Sequence, residues 1–338
     1  MTKTSVIIGI NTYHTDSSAC IIVNGNLIAA FEEERINRIK HYAGFPINSI
    51  RECLNIANLN SNQITDIAFN TRPLSNLLYK TIYYLKNFST KKSPHLERLK
   101  KKYNLKKILK EKISLNDNVK FHYVEHHLAH IASAFYPSNF KEACGISIDG
   151  SGDFVSIAYA ECKNHKIKIK KKNYFPDSLG IFYHAMTQFL GFKNYGDEYK
   201  MMGLAAYGKP VYYDKILTNL FAKNGIKLNL NYFNHHKNNF NYIAAEKIEV
   251  GQIYSDKLTH LFANELKDDQ FKTNFASSVQ KVYEKFFKKI LIQIKKENFS
   301  KNLVFSGGCA LNSSANRLLT IDNSFFENIF INCAPGDN

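Results

Sequence analysis

Residues 5–34 read SVIIGINTYHTDSSACIIVNGNLIAAFEEE and residues 142–172 read EACGISIDGSGDFVSIAYAECKNHKIKIKKK, and the fold turns on how far the two agree. In the first stretch SVIIGI has the apolar run of a buried strand, NTYHTDSS is a polar turn and ACIIV is a second strand. Asn24-Gly25 is a tight hairpin turn, and NLIAAFEEE follows as a third strand. In the second, EACGISI is a buried strand, DGSGD a turn, FVSIAYAE a second strand, CKNH a turn and KIKIKKK a third strand. The same plan occurs twice, so two similar α/β lobes are expected.

Outward from these, the first set is followed by a helical pattern (INSIRECLNIAN), a strand (QITDIAFNT), a basic helical region, a strand (KFHYVEH) and a histidine-bearing helix ending near Tyr136-Pro137. The second is followed by helices over SLGIFYHAMTQFLGF and NFASSVQKVYEKFFKKILIQIKK, a strand (NLVFSGG) and a helix (ALNSSANRLL). Paired α/β lobes that each open on a three-stranded hairpin set are the plan of the actin-like and sugar-kinase-like (RNase H-like) ATPases, with nucleotide and metal in an interlobe cleft. The expected lobes are residues 1–140 and 141–338. In that plan the turn between the first two strands faces a phosphate, because small residues leave backbone N–H groups unblocked as an anion-binding nest. The turns here are TDSS and DGSGD. A third loop, SGGCALN at 306–312, lies between a strand and a helix, where amides can hold a nucleotide. Ordinary hairpin and strand-to-helix turns also use Gly, Ser and Asp.

The chain has 338 residues, 44% hydrophobic and 13% aromatic, with no long Pro, Gly or Ser tract, which suits a folded body of more than one core. The apolar run at the start is too short for a signal peptide, and no run approaches the roughly 20 residues of a membrane-spanning helix. Six scattered cysteines without a C-x-x-C pair suit reduced thiols in the cytoplasm. The net charge of +16 is concentrated in lysines at 95–112 and 162–174, which read as solvated faces of a helix and a strand. No nucleic-acid module accompanies them.

Residues 125–135, EHHLAHIASAF, place His126 and His130 four apart, one helical turn on one face, the spacing at which two imidazoles share a metal. His127 points elsewhere. With 12 histidines in the chain, such a pair also arises by chance.

GINTYHTDSSACIIVNG with FEEERINRIKHYAGFP, EHHLAHIASAFYPS, SIDGSGD, EYKMMGLAAYGKP and FSGGCALN, in this order and across essentially the whole chain, resemble the O-carbamoyltransferases of antibiotic and nodulation-factor biosynthesis. The resemblance is to their transferase domain, related to the enzyme that makes threonylcarbamoyladenosine in tRNA. It implies transfer of a carbamoyl group from carbamoyl-adenylate, made from ATP and carbamoyl phosphate, to a hydroxyl of a small-molecule or glycan acceptor. It also implies a divalent metal, described in that family as iron, held here by His126, His130, Asp149 and Asp337. An imidazole and carboxylate set with open positions suits a first-row ion acting as Lewis acid.

Under the same resemblance the alcohol needs a proton acceptor, and His14 is the candidate base; the other reading is a hydrogen bond to its own turn or to substrate. Gly150, Ser151 and Gly152 are expected at the nucleotide, with Gly307 and Gly308 allowing close backbone approach. Lys200 either pairs with a phosphate or is an exposed lysine, and Asn312 either bonds the adenylate or starts a helix. Family members carry a second, adenylate-forming domain. The chain reaches Asn338, one residue past the last expected ligand, so the second lobe is expected to be cut short and that domain to be supplied by the same gene or a separate chain. The alternatives are a threonylcarbamoyl-type transferase acting on tRNA, or a catalytically silent fragment that binds metal and nucleotide.

Overall fold

The computed structural model describes residues 4–86, 104–223, 225–237, 241–244, 247–297, 299–321 and 325–338. Part of the first lysine-rich segment, residues 95–103, lies outside them. Contacts gather Met1–Ala129, Asn241–Glu249 and Asp337–Asn338 into one compact unit, and His130–Phe240 with Val250–Gly336 into a second.

The first unit is built on β1 (Val6–Asn11), β2 (Ser18–Val23), β3 (Asn26–Glu32), β4 (Asp66–Phe69) and β5 (Lys120–Tyr123), with α1 (Glu33–Asn37), α2 (Ile47–Ile56), α3 (Leu77–Lys86) and α4 (Leu105–Lys112) between them. Strand order is β3-β2-β1-β4-β5. β1 pairs antiparallel with β2 and parallel with β4, and β4 runs parallel to β5. Asn24 and Gly25, at φ 50° and 86°, make the β2–β3 hairpin turn anticipated from their dipeptide. Helix α2 packs on β2 and β3, and Ile8, Ile21, Ile50 and Phe69 close the core between them. Burial of such side chains contributes about 1.5–3 kcal/mol each.

The second unit begins with α5 (His126–Phe135, its first turn counted with the first unit). β6 (Glu142–Gly152), β7 (Val155–Lys163), β8 (Lys166–Tyr174), α6 (Leu179–Phe189), α7 (Glu198–Ala205) and α8 (Tyr213–Leu220) follow. A two-stranded ribbon, β9 (Asn241–Ala244) and β10 (Lys247–Val250), counts almost wholly with the first unit; after it the second continues with α9 (Asp256–Leu261), α10 (Phe271–Glu297) and β11 (Asn302–Ser306). α11 (Ser313–Asn316), α12 (Leu318–Ile321) and β12 (Asn328–Ile331) complete the chain. The order β8-β7-β6-β11-β12, with β6 antiparallel to β7 and parallel to β11, repeats that of the first sheet strand for strand. The protein is therefore a duplicated actin-like α/β fold. β6 is buried continuously from Ala143 to Asp149 because both faces are covered. Ile146 and Ile148 meet Phe182 of α6 and Phe287 of α10, while Ala143 belongs to the opposite core with Ile131 and Phe135 of α5.

Three local readings are corrected. DGSGD is not a free turn: β6 continues to Gly152, with a register shift between Ile148 and Gly152, and Asp153 and Phe154 turn the chain at φ 49° and 74°. FEEE is not all strand, since β3 stops at Glu32 and Glu33 opens α1. The buried Glu33 carboxylate accepts from Ser49 N at 2.7 Å and Asn48 Nδ2 at 2.7 Å, anchoring the start of α2. ALNSSANRLL is not one helix but a 3₁₀ turn over Gly308–Leu311 followed by α11 and α12.

Candidate metal and nucleotide site

In the first unit the turn from Thr12 to Ser17 is closed by Asn11. Its Nδ2 donates to the carbonyls of Thr15 at 2.8 Å and Asp16 at 3.1 Å. The Gly44 carbonyl accepts from Tyr13 N, Thr12 Oγ1 and Ser17 Oγ and pins the turn from outside. Asn11 Nδ2 also reaches the Asp337 carbonyl at 2.8 Å, so the same side chain that shapes the turn seats Asp337 beside it. Asp337 Oδ2 receives His14 Nδ1 at 2.6 Å and Thr15 Oγ1 at 2.8 Å. Its Oδ1 lies 3.3 Å from His126 Nε2. The Asp337 side chain is 5% exposed and that of His14 18%.

In the second unit Asp149 sits in the last buried stretch of β6. Its Oδ1 accepts from Gly308 N at 3.1 Å, and its Oδ2 is 3.9 Å from His130 Nε2. Ser178 caps α6 by accepting from Ile181 N and donates to the carbonyls of Asp149 and Gly150 at 3.1 and 2.7 Å. Two glycines make this corner possible. A Cβ on Gly180 would stand 2.8 Å from Asp149 O, and Gly307, at φ 90°, would put one 2.3 Å from Ile148 O. Gly150 has no neighbour within 4 Å of where a Cβ would point, so its Cα faces open space.

His126 and His130, one turn apart on α5, thus each face a carboxylate through Nε2. The separations of 3.3 and 3.9 Å are those of two ligands on one ion: bonds of about 2.1 Å place neighbouring donor atoms roughly 3–4 Å apart. At 3.9 Å a direct hydrogen bond is excluded. Each pair offers the imidazole and carboxylate donors that a divalent first-row metal takes.

The remaining residues separate. Ser151 is half-buried and Gly152 buried along the end of β6. Lys200 Nζ pairs with Asp197 Oδ1 at 2.7 Å, and Asp197 also accepts from Asn194. Asn312 caps α11 through Ala315 N at 3.0 Å and exchanges two 3.1 Å bonds with the amide of Gln280, so both ends of its side chain are engaged inside the fold. Burial, and then the charge of Asp149, push the Cys309 thiol far up, so it is a neutral thiol at pH 7. His127 is fully buried. On β8, Lys170 pairs with Glu161 at 3.0 Å and Lys171 pairs with Glu297, a solvated, ion-paired edge. Sequence reading missed Asn11, Thr15, Ser178 and Gly180. Of these only Ser178, in D-S-L-G ahead of an apolar helix, carries a local signal, that of an N-cap.

The family model described as carbamoyltransferase N-terminus matches residues 6–338. An uncharacterized protein, sll1178, of Synechocystis is 34% identical over 98% of this chain and 55% of its own length. The nodulation protein NolNO of Sinorhizobium fredii is 30% identical over 97% of this chain and 45% of its own. The chain spans about half the length of the curated relatives it matches. Among solved structures, T. kodakarensis HypF is similar at 14% identity and a TM-score of 0.46, covering 99% of this chain and 46% of HypF. The activator of the 2-hydroxyisocaproyl-CoA dehydratase from Clostridium difficile with bound ADPNP is similar at 12% identity and a TM-score of 0.45, covering 98% of this chain and 90% of the activator. Among the described residues no helix is long and apolar enough to cross a membrane.

Proposed function

The chain belongs to the carbamoyltransferase family, whose N-terminal region it spans, and from that premise we propose that it moves a carbamoyl group from carbamoyl-adenylate to a hydroxyl of a small-molecule or glycan acceptor in the cytoplasm. The observation that carries this reading is the division of labour at Asp337, with Oδ2 on His14 and Oδ1 toward His126. A carboxylate on Nδ1 fixes the ring proton there and makes Nε2 the basic nitrogen, so His14 takes the proton of the attacking alcohol. His126, His130, Asp149 and Asp337 hold a divalent metal, iron in our reading. When bound, it supplies Lewis-acid polarisation of an oxygen on which charge develops. Gly150, Ser151 and Gly152 line the approach of the adenylate phosphate, and Gly307 and Gly308 that of the nucleoside. Lys200, paired with Asp197, lies on the helix after them and adds positive charge. Asn312 holds the second glycine loop in place through its cap.

The adenylate is made by a further domain, in the same gene or on a separate chain, from ATP and carbamoyl phosphate. The experiment is mass spectrometry of hydroxylated acceptors incubated with ATP, carbamoyl phosphate and this chain, with and without the C-terminal half of a relative such as NolNO. Carbamoylated product is expected only with both present. Product from neither mixture, with metal and nucleotide still bound, would instead support a silent binding fragment.

A further inference from the structure

We propose that α3 docks the first unit on an anionic phospholipid bilayer: its outward leucines enter the headgroup boundary, and the lysines of α4 hold the lipid phosphates. Peripheral docking of this kind needs no spanning helix, and it stands apart from the reaction proposed above. An amphipathic helix on a folded unit normally buries its apolar stripe and leaves its charge in water. Helix α3, LLYKTIYYLK, does the opposite. Leu78 and Leu85 are 69% and 74% exposed, and Leu74, Leu77 and Ile82 are exposed with them. Leu78, Ile82 and Leu85 are spaced i, i+4 and i+7 on one face, with Leu77 at its edge, so the exposed surface is a stripe. Lys80 instead is half-buried and turns back on the chain, its Nζ donating to the Pro73 carbonyl at 2.9 Å. A single exposed leucine is ordinary on a protein surface, but a contiguous apolar stripe marks a contact.

The charge beside the stripe says what the contact is. Helix α4, LKKILKEK, keeps Leu105 and Leu109 in the first unit's core and presents Lys106, Lys107 and Lys110 to solvent, with Glu111 its only acid. It ends one of the two lysine-rich segments in which the net charge of +16 is concentrated. Both helices belong to the single crossover between the parallel neighbours β4 and β5. Such a crossover passes over one side of its sheet, which puts the apolar and the basic surface on the same side. A second copy of the chain would bring this positive charge against itself. A nucleic acid would engage the lysines and leave the leucines in water. A bilayer with anionic headgroups takes both, since interfacial binding grows with the apolar area buried at the acyl boundary and with each lysine near the charged surface.

The test is co-sedimentation of the full chain with vesicles of phosphatidylcholine alone and of equal parts phosphatidylcholine and phosphatidylglycerol. Partitioning to the anionic vesicles should be at least roughly tenfold stronger than to the neutral ones and should weaken as salt is added. Leu78→Ser combined with Leu85→Ser changes two exposed side chains, and should lower it about tenfold or more with thermal unfolding unchanged. Lys107→Gln combined with Lys110→Gln should lower it by roughly tenfold and flatten the salt dependence. Absence of wild-type binding to the anionic vesicles would overturn the proposal. Undiminished binding of the leucine variant would also overturn it, since charge alone would then account for the attraction. So would a wild-type dimer in analytical ultracentrifugation that the leucine variant breaks, which would give the stripe to a second copy. Tighter binding to an RNA duplex than to the vesicles, unaffected by the leucine changes, would give the lysines to nucleic acid and overturn it too.

Discussion

The turn at residues 12–17 and its counterpart at residues 149–154 join equivalent strands of two sheets with the same order, yet they are built from opposite materials. The first is a six-residue loop whose work is done by side chains: His14 and Thr15 reach Asp337, and Asn11 ties all three together. The second is mostly strand, ending in two residues of positive φ; it offers backbone amides, one buried carboxylate and open space at Gly150, and the close-packed Gly180 and Gly307 lie against its backbone. Duplication kept the strand order while the two turns diverged; in the function proposed above, the first would serve proton and ligand chemistry and the second close approach to an anion.

Breaking the first turn should have the largest effect. Asp337→Ala removes at once the acceptor of His14 and Thr15 and the carboxylate facing His126, and carbamoyl transfer should fall by roughly 10²–10⁴-fold. The fold should lose only about 1–3 kcal/mol in urea unfolding. Breaking the second turn should show the reverse balance. Gly307→Ala meets both a positive φ and the Ile148 carbonyl and should cost about 2–4 kcal/mol. Gly150→Ala, with open space around it, should stay within about 0.5 kcal/mol and weaken nucleotide binding instead. A Gly150 variant as damaging to stability as Gly307→Ala would erase the contrast.

Asn312→Ala sharpens it at smaller scale. Loss of a helix cap and of the Gln280 amide pair should destabilise by about 1–2 kcal/mol, read by thermal unfolding. The smallest effect sits at the edge of the first turn. There the hydrogen bond that Asp16 Oδ1 accepts from His41 Nδ1, at 2.8 Å, raises the His41 pKa above its usual value of about 6.5, the largest of the influences on it. A raised folded-state pKa means that the pair stabilises fully below the unfolded pKa and that this is lost as pH rises through the folded one. Histidine ring titration by NMR should place His41 lower in Asp16→Asn than in wild type. An unchanged value would show that Asp16 does not hold the ring.

What the sequence made legible was local. Asn24-Gly25 declares its hairpin because a primed turn needs two residues at positive φ, and the alternation of KIKIKKK declares an edge strand because period two is visible over seven residues. The two hairpin sets together were enough for the duplicated fold. The continuation of β6 through DGSG was not legible, since it depends on pairing with β7 across a register shift. Nor was the partnership of Thr15 and Asp337, 322 residues apart, which no local pattern encodes. Asp337 entered only through the resemblance, and Asn11, which seats it, carries no signal beyond being a polar residue at a strand end. His126 and His130 were legible as a pair because helical spacing is local, while the carboxylate facing each one was not.

The most direct test is the metal content of the chain, measured by elemental analysis after anaerobic reconstitution with ferrous iron and removal of excess. About one ion per chain is expected in the wild type. It should be lost alike from Asp149→Asn, which alters the carboxylate facing His130, and from Asp337→Asn, which alters the one facing His126, with circular dichroism unchanged. A full ion retained in either variant, or none in the wild type, would contradict the assignment of these four residues to one centre.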